Sequence, residues 1–101
     1  MESKLGNLVS IEARPGKEQE VADFLASALP LARDEQDTLL WFSARISSTK
    51  FIIFDTFPHT EGREAHLNGL IAKALFSKAD ELLSKPPVIE RLEILAAKEP
   101  R

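Results

Sequence analysis

The chain has 101 residues, a net charge of −3 and no cysteine. This length predicts one domain over residues 1–101, with a loose tail from about 98 to 101. Scattered charges without a basic run predict no nucleic-acid partner, and the missing cysteine excludes disulfides, thiolate metal sites and a cysteine nucleophile. The N-terminal residues lack a signal-peptide layout and no apolar run is long enough to span a membrane, so we expect a cytoplasmic protein without membrane contact.

The first third of the chain predicts a strand followed by an interrupted helix. Residues 5–14 alternate apolar and polar side chains, which is typical of a strand buried mainly on one face, and a Pro-Gly pair ends them. The apolar spacing then becomes helical. Pro30 predicts a kink or break near Leu29, because proline removes a backbone donor and clashes with the preceding turn. Polar residues 33–37 end the helix.

The remainder predicts two strands, another interrupted helix and a last strand. Residues 38–46 and 51–57 alternate as strands and are joined by a polar hairpin turn. An apolar helical stripe follows as far as Ser84, and Gly69 predicts a bend that divides it into two pieces. A Pro-Pro pair then separates this helix from a strand over residues 88–96.

The resulting order, β-α-β-β-α-β, predicts an α+β fold of the ferredoxin-like type with an antiparallel sheet. Right-handed crossovers place the first and third strands at the centre of the sheet and both helical regions on one face. The other face carries apolar residues from four strands, which is too much apolar surface to leave in water. We therefore expect a homodimer in which two sheets pair face to face as a dimeric α/β barrel.

The stretch FIIFDTFPHTEGREAHL, residues 51–67, places two proton-handling groups on consecutive elements. Asp55 interrupts an apolar strand, and an unpaired buried carboxylate is costly, so we expect a partner: His66, Arg63 or the backbone donors of the next helix. His66 has two interpretations. It either exchanges a proton with a phenolic substrate or ties the helix to the strand through Asp55.

Over about residues 9–98 the chain resembles the antibiotic biosynthesis monooxygenase family of dimeric α/β barrels. The resemblance is carried by ARPGKEQEVADFL, ARDEQDTLLWF, FIIFDTFPHTEGREAHL and VIERLEILAAK. Asp55 and His66 match the family's acidic residue at the end of strand three and the histidine of the helix that follows. The family includes cofactor-independent oxygenases of quinols and polyphenols, haem-degrading enzymes and proteins without an assigned activity.

Two departures from the family pattern are visible. The haem-degrading branch places a tryptophan and a histidine together in the second helical region, whereas the only tryptophan here, Trp41, lies in the second strand. The chain also has no tyrosine, a residue that polyphenol oxygenases of the family often place near the substrate.

The resemblance and the residues together give a set of predicted site residues. Asp55 and His66 are the predicted catalytic pair. Five residues are predicted to bind the substrate: Asn7, Phe24, Trp41, Phe54 and Phe76. Aromatic residues at strand and helix spacing are more often core residues, and the pattern leaves open which sheet face carries Asn7 and Trp41. His59 is predicted to be an exposed turn residue, and no metal or cofactor site is predicted.

Two functions remain open at this point. The first is a cofactor-independent monooxygenase of an electron-rich aromatic, which needs a dry pocket, a base and a donor for the developing anion. The second is a non-catalytic homodimeric barrel that is small-molecule-binding or stress-related and whose pocket is filled by its own side chains; a small aromatic ligand is possible. A cavity between helices and sheet that His66 reaches and that holds one aromatic ring system favours the first, and a solid core there with His66 facing solvent favours the second.

Overall fold

The computed structural model describes residues 2–100 and confirms the predicted order of elements. The strands are β1 (Leu5–Glu12), β2 (Leu40–Arg45), β3 (Lys50–Phe57) and β4 (Val88–Glu93). The helices are α1 (Glu18–Ser27), α2 (Leu29–Arg33), α3 (Thr60–Leu67) and α4 (Leu70–Leu82). Met1 and Arg101, the two ends of the predicted domain, lie outside the described residues.

Both predicted helix interruptions are present. The first helical region breaks at Ala28, and Pro30 lies in the first turn of α2, where proline costs no helical hydrogen bond. Gly69 separates α3 from α4. The last strand is shorter than predicted: it ends at Glu93, which pairs with Leu5, and one further backbone hydrogen bond runs from the Ile94 N–H to the Lys4 carbonyl.

The four strands form one antiparallel sheet in the order β2-β3-β1-β4, with the first and third strands central as predicted. The fold is therefore ferredoxin-like α+β, with the helices on one face. In this register Trp41, Asp55, Asn7 and Arg91 lie directly opposite one another on the four strands. We call these four residues the polar row.

The apolar core lies between the sheet and the helices, beside the polar row. It is built from alternate residues of the central strands and from one stripe each of α1 and α4: Val9, Ile11, Phe51, Ile53, Val21, Leu25, Leu75 and Leu82. Among these, Val21 and Ile53 are 2% exposed.

Gly16, in the turn after β1, has a φ of 86°, a left-handed conformation that glycine adopts without strain.

The opposite face of the sheet carries a second apolar surface, which no helix covers in residues 2–100. Strand alternation places Leu8, Phe42, Phe54 and Val88 on it, and we call this surface the open face. Phe42 is 54% exposed and Val88 is 47% exposed. In an isolated chain this face leaves large apolar side chains in water.

Two further features concern the ends and the helices. Glu99, in the tail predicted to be loose, accepts a hydrogen bond from the backbone N–H of Ser3 at 2.6 Å. Over residues 2–100, each helix is too short or too polar to cross a lipid bilayer.

Candidate functional site: the histidine between two carboxylates

His66 lies between two carboxylates that come from different parts of the fold. Its Nδ1 is 2.5 Å from Oε1 of Glu35, in the segment after α2, and its Nε2 is 2.9 Å from Oδ2 of Asp55 on β3. The His66 side chain is 6% exposed and that of Asp55 is completely buried. The Asp55 partner expected from the sequence is therefore His66. We call these three residues the acidic clamp.

Local packing fixes α3 against the segment that carries Glu35. His59 caps α3, its Nδ1 accepting the Gly62 N–H at 3.0 Å, while its side chain stays exposed as predicted. A Cβ at Gly62 would lie only 2.8 Å from Cβ of Asp37, so glycine permits this close approach. The Thr38 hydroxyl donates to Oε1 of Glu35 at 2.7 Å and orients that carboxylate toward the ring.

The two carboxylates favour the charged form of the ring. Burial by itself lowers the pKa of His66, but the contacts with Asp55 and Glu35 outweigh it, and the pKa of His66 is raised above its usual value. Both ring nitrogens face a carboxylate, so a doubly protonated imidazolium suits the geometry. That ring would donate from both nitrogens and would have no free acceptor atom.

The contact between His66 and Asp55 has the distance of an ion pair. Both Asp55 oxygens remain without an aligned hydrogen bond from residues 2–100. Since Asp55 is completely buried, its carboxylate retains an unused capacity to accept a hydrogen bond from a group between the helices and the sheet.

Protonation of His66 should make stability depend on pH. A pKa that is higher in the folded state than the unfolded value of about 6.5 means that the stabilisation is complete below pH ~6.5. It is lost as pH rises through the folded-state pKa. We expect the wild-type free energy of unfolding, measured by urea titration, to fall above neutral pH relative to that of His66→Gln. A constant difference between the two proteins from pH 6 to pH 10 would contradict a charged ring.

The polar row supplies more unpartnered groups beside the acidic clamp. Nε1 of Trp41 and the side-chain amide of Asn7 are buried without a hydrogen-bond partner in the part of the chain that the structure describes. They flank Asp55 in the register, and directly opposed side chains in a sheet lie about 5 Å apart. An unsatisfied buried polar group costs about 1–3 kcal/mol, so a bound water or ligand that pairs with this row would be stabilised.

The other predicted substrate-binding residues do not join this group. Phe54 precedes Asp55 in the same strand, so alternation directs it to the open face. Phe24 packs against the apolar core from α1, and Phe76 is 48% exposed on α4. Four of the seven predicted residues therefore come together around one centre: Asn7, Trp41, Asp55 and His66.

Two further residues belong to the site but were not predicted from the sequence. Phe57 packs on the His66 ring with centroids 5.4 Å apart, and its position two residues after Asp55 could have placed it on the same face. Glu35 lies in a polar connection without periodicity, so no pattern indicated its contact with His66.

A surface pocket of about 230 Å³ leads to the acidic clamp from outside. It lies between the segment after α2 and the helix α3, and its lining includes Glu35, Asp37, Thr38, Gly62, Ala65 and His66. Over residues 2–100, no three histidine, aspartate or glutamate side chains are arranged to hold a metal ion.

No protein-family model and no curated protein matches the chain. Solved structures do match. The NE2512 protein of unknown function from Nitrosomonas europaea is 52% identical, with a TM-score of 0.96 and coverage of 98% of this chain and 96% of that chain. PA3566 from Pseudomonas aeruginosa is 21% identical, with a TM-score of 0.81 and coverage of 95% and 98%. A "Putative antibiotic biosynthesis monooxygenase" from Nitrosomonas europaea is 10% identical, with a TM-score of 0.81 and coverage of 91% and 99%.

Proposed function

Because the chain belongs to the family of the Nitrosomonas europaea NE2512 protein and has the fold of antibiotic biosynthesis monooxygenases, we propose that it is a cofactor-independent monooxygenase of a quinol or polyphenol. The resemblance expected from the sequence is confirmed at the level of the fold. The substrate class and the roles of the residues are part of the proposal.

The observation that carries the proposal is the set of unpartnered buried groups around Asp55. Trp41 offers an indole N–H and Asn7 an amide, and Asp55 offers an acceptor between them. A substrate hydroxyl would donate its proton to Asp55. The phenolate oxygen that forms would then accept hydrogen bonds from Asn7 and Trp41, which is how a developing anion is stabilised.

The substrate itself supplies the electrons in this chemistry. A hydroquinone anion reduces O₂, one oxygen atom enters the ring and the other leaves as water. Hydroquinone and O₂ thus give hydroxyquinone and water, with atoms and electrons balanced and no cofactor required. The protein contributes a base, donors for the anion and exclusion of water.

The surface pocket is a poorer position for the substrate. Glu35 and Asp37 line it, and two carboxylates would repel the phenolate that the reaction forms. Binding at the polar row requires α3 to move, because Asn7 and Asp55 are completely buried. The buried residues of α3 are Gly62 and His66, so polar contacts contribute much of what holds this helix in place.

The same burial favours a second candidate function, a non-catalytic barrel that binds a small aromatic molecule. Because the polar row is closed to solvent, we expect a ligand there to bind slowly and to dissociate slowly. Binding of a phenol, seen as shifts of the Trp41 and Asn7 side-chain signals in NMR spectra without oxygen consumption, would support this function instead.

Asp55→Asn tests the enzyme proposal. The amide keeps the shape of Asp55 and removes the proton acceptor, so we expect oxygen consumption with a hydroquinone panel to fall by about 10²–10⁴-fold, the usual contribution of a general base. Asp37→Asn is the matched control, because it removes a carboxylate from the surface pocket and leaves the polar row intact. Turnover by Asp55→Asn at the rate of the control would overturn the assignment.

We also propose that the active unit is a homodimer joined through the open face. Leu8, Phe42, Phe54 and Val88 give this face the apolar area that a second sheet would cover. The polar row lies on the other side of the sheet, so Phe54 would contribute to the dimer rather than to the substrate site.

A further inference from the structure

In the acidic clamp, the completely buried Asp55 and the partly exposed Glu35 lie on opposite sides of the His66 ring. We propose that Glu35 is the outlet through which the buried Asp55–His66 pair releases a proton. This inference rests on the proposed function in one respect, namely that Asp55 takes up a proton during the reaction.

Burial limits how Asp55 and His66 can change their charge. Asp55 has no exposed surface, and His66 is 6% exposed. When Asp55 gains a proton it becomes neutral, so the His66 imidazolium keeps only Glu35 as an anionic partner, and Asp55 and His66 together carry a positive charge in a buried place. Loss of one proton from the ring returns these two residues to zero net charge.

The orientation of the His66 ring sets the direction in which the proton is released. Nε2 of His66 faces Asp55, while Nδ1 faces Oε1 of Glu35 at 2.5 Å. Imidazole can lose a proton from one nitrogen while the other keeps its own. The proton on Nδ1 therefore has a carboxylate acceptor within hydrogen-bond distance, on the side of the ring that faces away from the substrate.

Glu35 gives the released proton access to solvent. The Glu35 side chain is 22% exposed and lies in the wall of the surface pocket of about 230 Å³. Thr38 donates to the oxygen that faces His66, which fixes the carboxylate in position.

Protons balance through the sequence. The substrate hydroxyl gives its proton to Asp55, the imidazolium gives its Nδ1 proton to Glu35, and Glu35 gives that proton to water in the pocket. The products of these transfers are a phenolate, a neutral Asp55, a neutral His66 and one proton in solvent. The reverse steps restore the imidazolium and the two carboxylates.

The test follows exchange of the His66 Nδ1–H with water in ligand-free protein, by ¹⁵N-resolved NMR at a pH where both ring nitrogens are protonated. Glu35→Gln keeps a hydrogen-bond acceptor but removes the base. Since a positioned base accelerates proton transfer by about 10²–10⁴-fold, we expect exchange to slow by at least about tenfold. Asp37→Asn, which removes a charge from the same pocket without touching the ring, should exchange like wild type.

A second variant covers the case in which Glu35→Gln does not fold. Ala65 is exposed on α3 and lines the pocket, so Ala65→Leu narrows the entrance without changing a charge. It should also slow exchange relative to Asp37→Asn. Exchange at the Asp37→Asn rate in every folded test variant would overturn the outlet and leave Glu35 as a structural partner of His66.

These measurements need no turnover. A protein without oxygenase activity can still show Glu35-dependent exchange, and an active one can lack it. The experiments therefore distinguish a wrong assignment of Glu35 in proton release from a wrong assignment of the oxygenase reaction.

Discussion

Replacing His66 by alanine should lower the free energy of unfolding by about 3–5 kcal/mol, the usual result of removing one partner from a buried ion pair. The variant leaves Asp55 completely buried and without its cation. A loss of about 3–5 kcal/mol would be a large part of the roughly 5–15 kcal/mol that stabilises a domain. Urea unfolding at pH 6, where the ring is charged, measures the effect.

His59→Ala is the matched control for this experiment. It removes the other histidine, which caps α3 and is exposed, so the expected loss is about 0.5–2 kcal/mol. Combining His66→Ala with Asp55→Asn should recover part of the stability, because the second change removes the isolated charge. A loss for His66→Ala no larger than that for His59→Ala would show that the buried pair contributes little.

Phe42→Asp should convert the proposed homodimer to monomers. Phe42 is 54% exposed on the open face, and a carboxylate there would have to be buried between two sheets once in each subunit. We expect the dissociation constant to rise at least ~100-fold, which corresponds to about 2.7 kcal/mol. Analytical ultracentrifugation over a concentration series gives this constant directly.

Phe76→Asp provides the comparison. Phe76 is a similarly exposed aromatic residue, 48% accessible, but it lies on α4 on the helical side of the sheet. It should leave the association unchanged. A wild-type monomer at all concentrations, or equal effects of the two variants, would contradict pairing through the open face.

The fold follows from local patterns in the sequence. The alternation of β1 and β3, the helical stripes and the breaks at Pro30 and Gly69 are properties of neighbouring residues. Right-handed crossovers then leave few arrangements of the strands, and the observed order is the expected one.

The candidate site follows only in part. Asp55 and His66 were predicted as a pair because an isolated carboxylate in an apolar strand needs a partner. The prediction also places Phe54 at the substrate as one of several aromatic residues, although strand alternation directs it to the face opposite Asp55. Asn7 and Trp41 could be assigned to a face only after the register of β1, β2 and β3 was known.

The sequence by itself determined the elements, their order and the surplus of apolar residues on both sides of the sheet, because these depend on spacing within single segments. Only the tertiary structure placed Glu35 against His66 and aligned Asn7, Asp55 and Trp41 in one row. Such contacts join segments that are far apart in the chain, and their register is set by packing rather than by any local pattern.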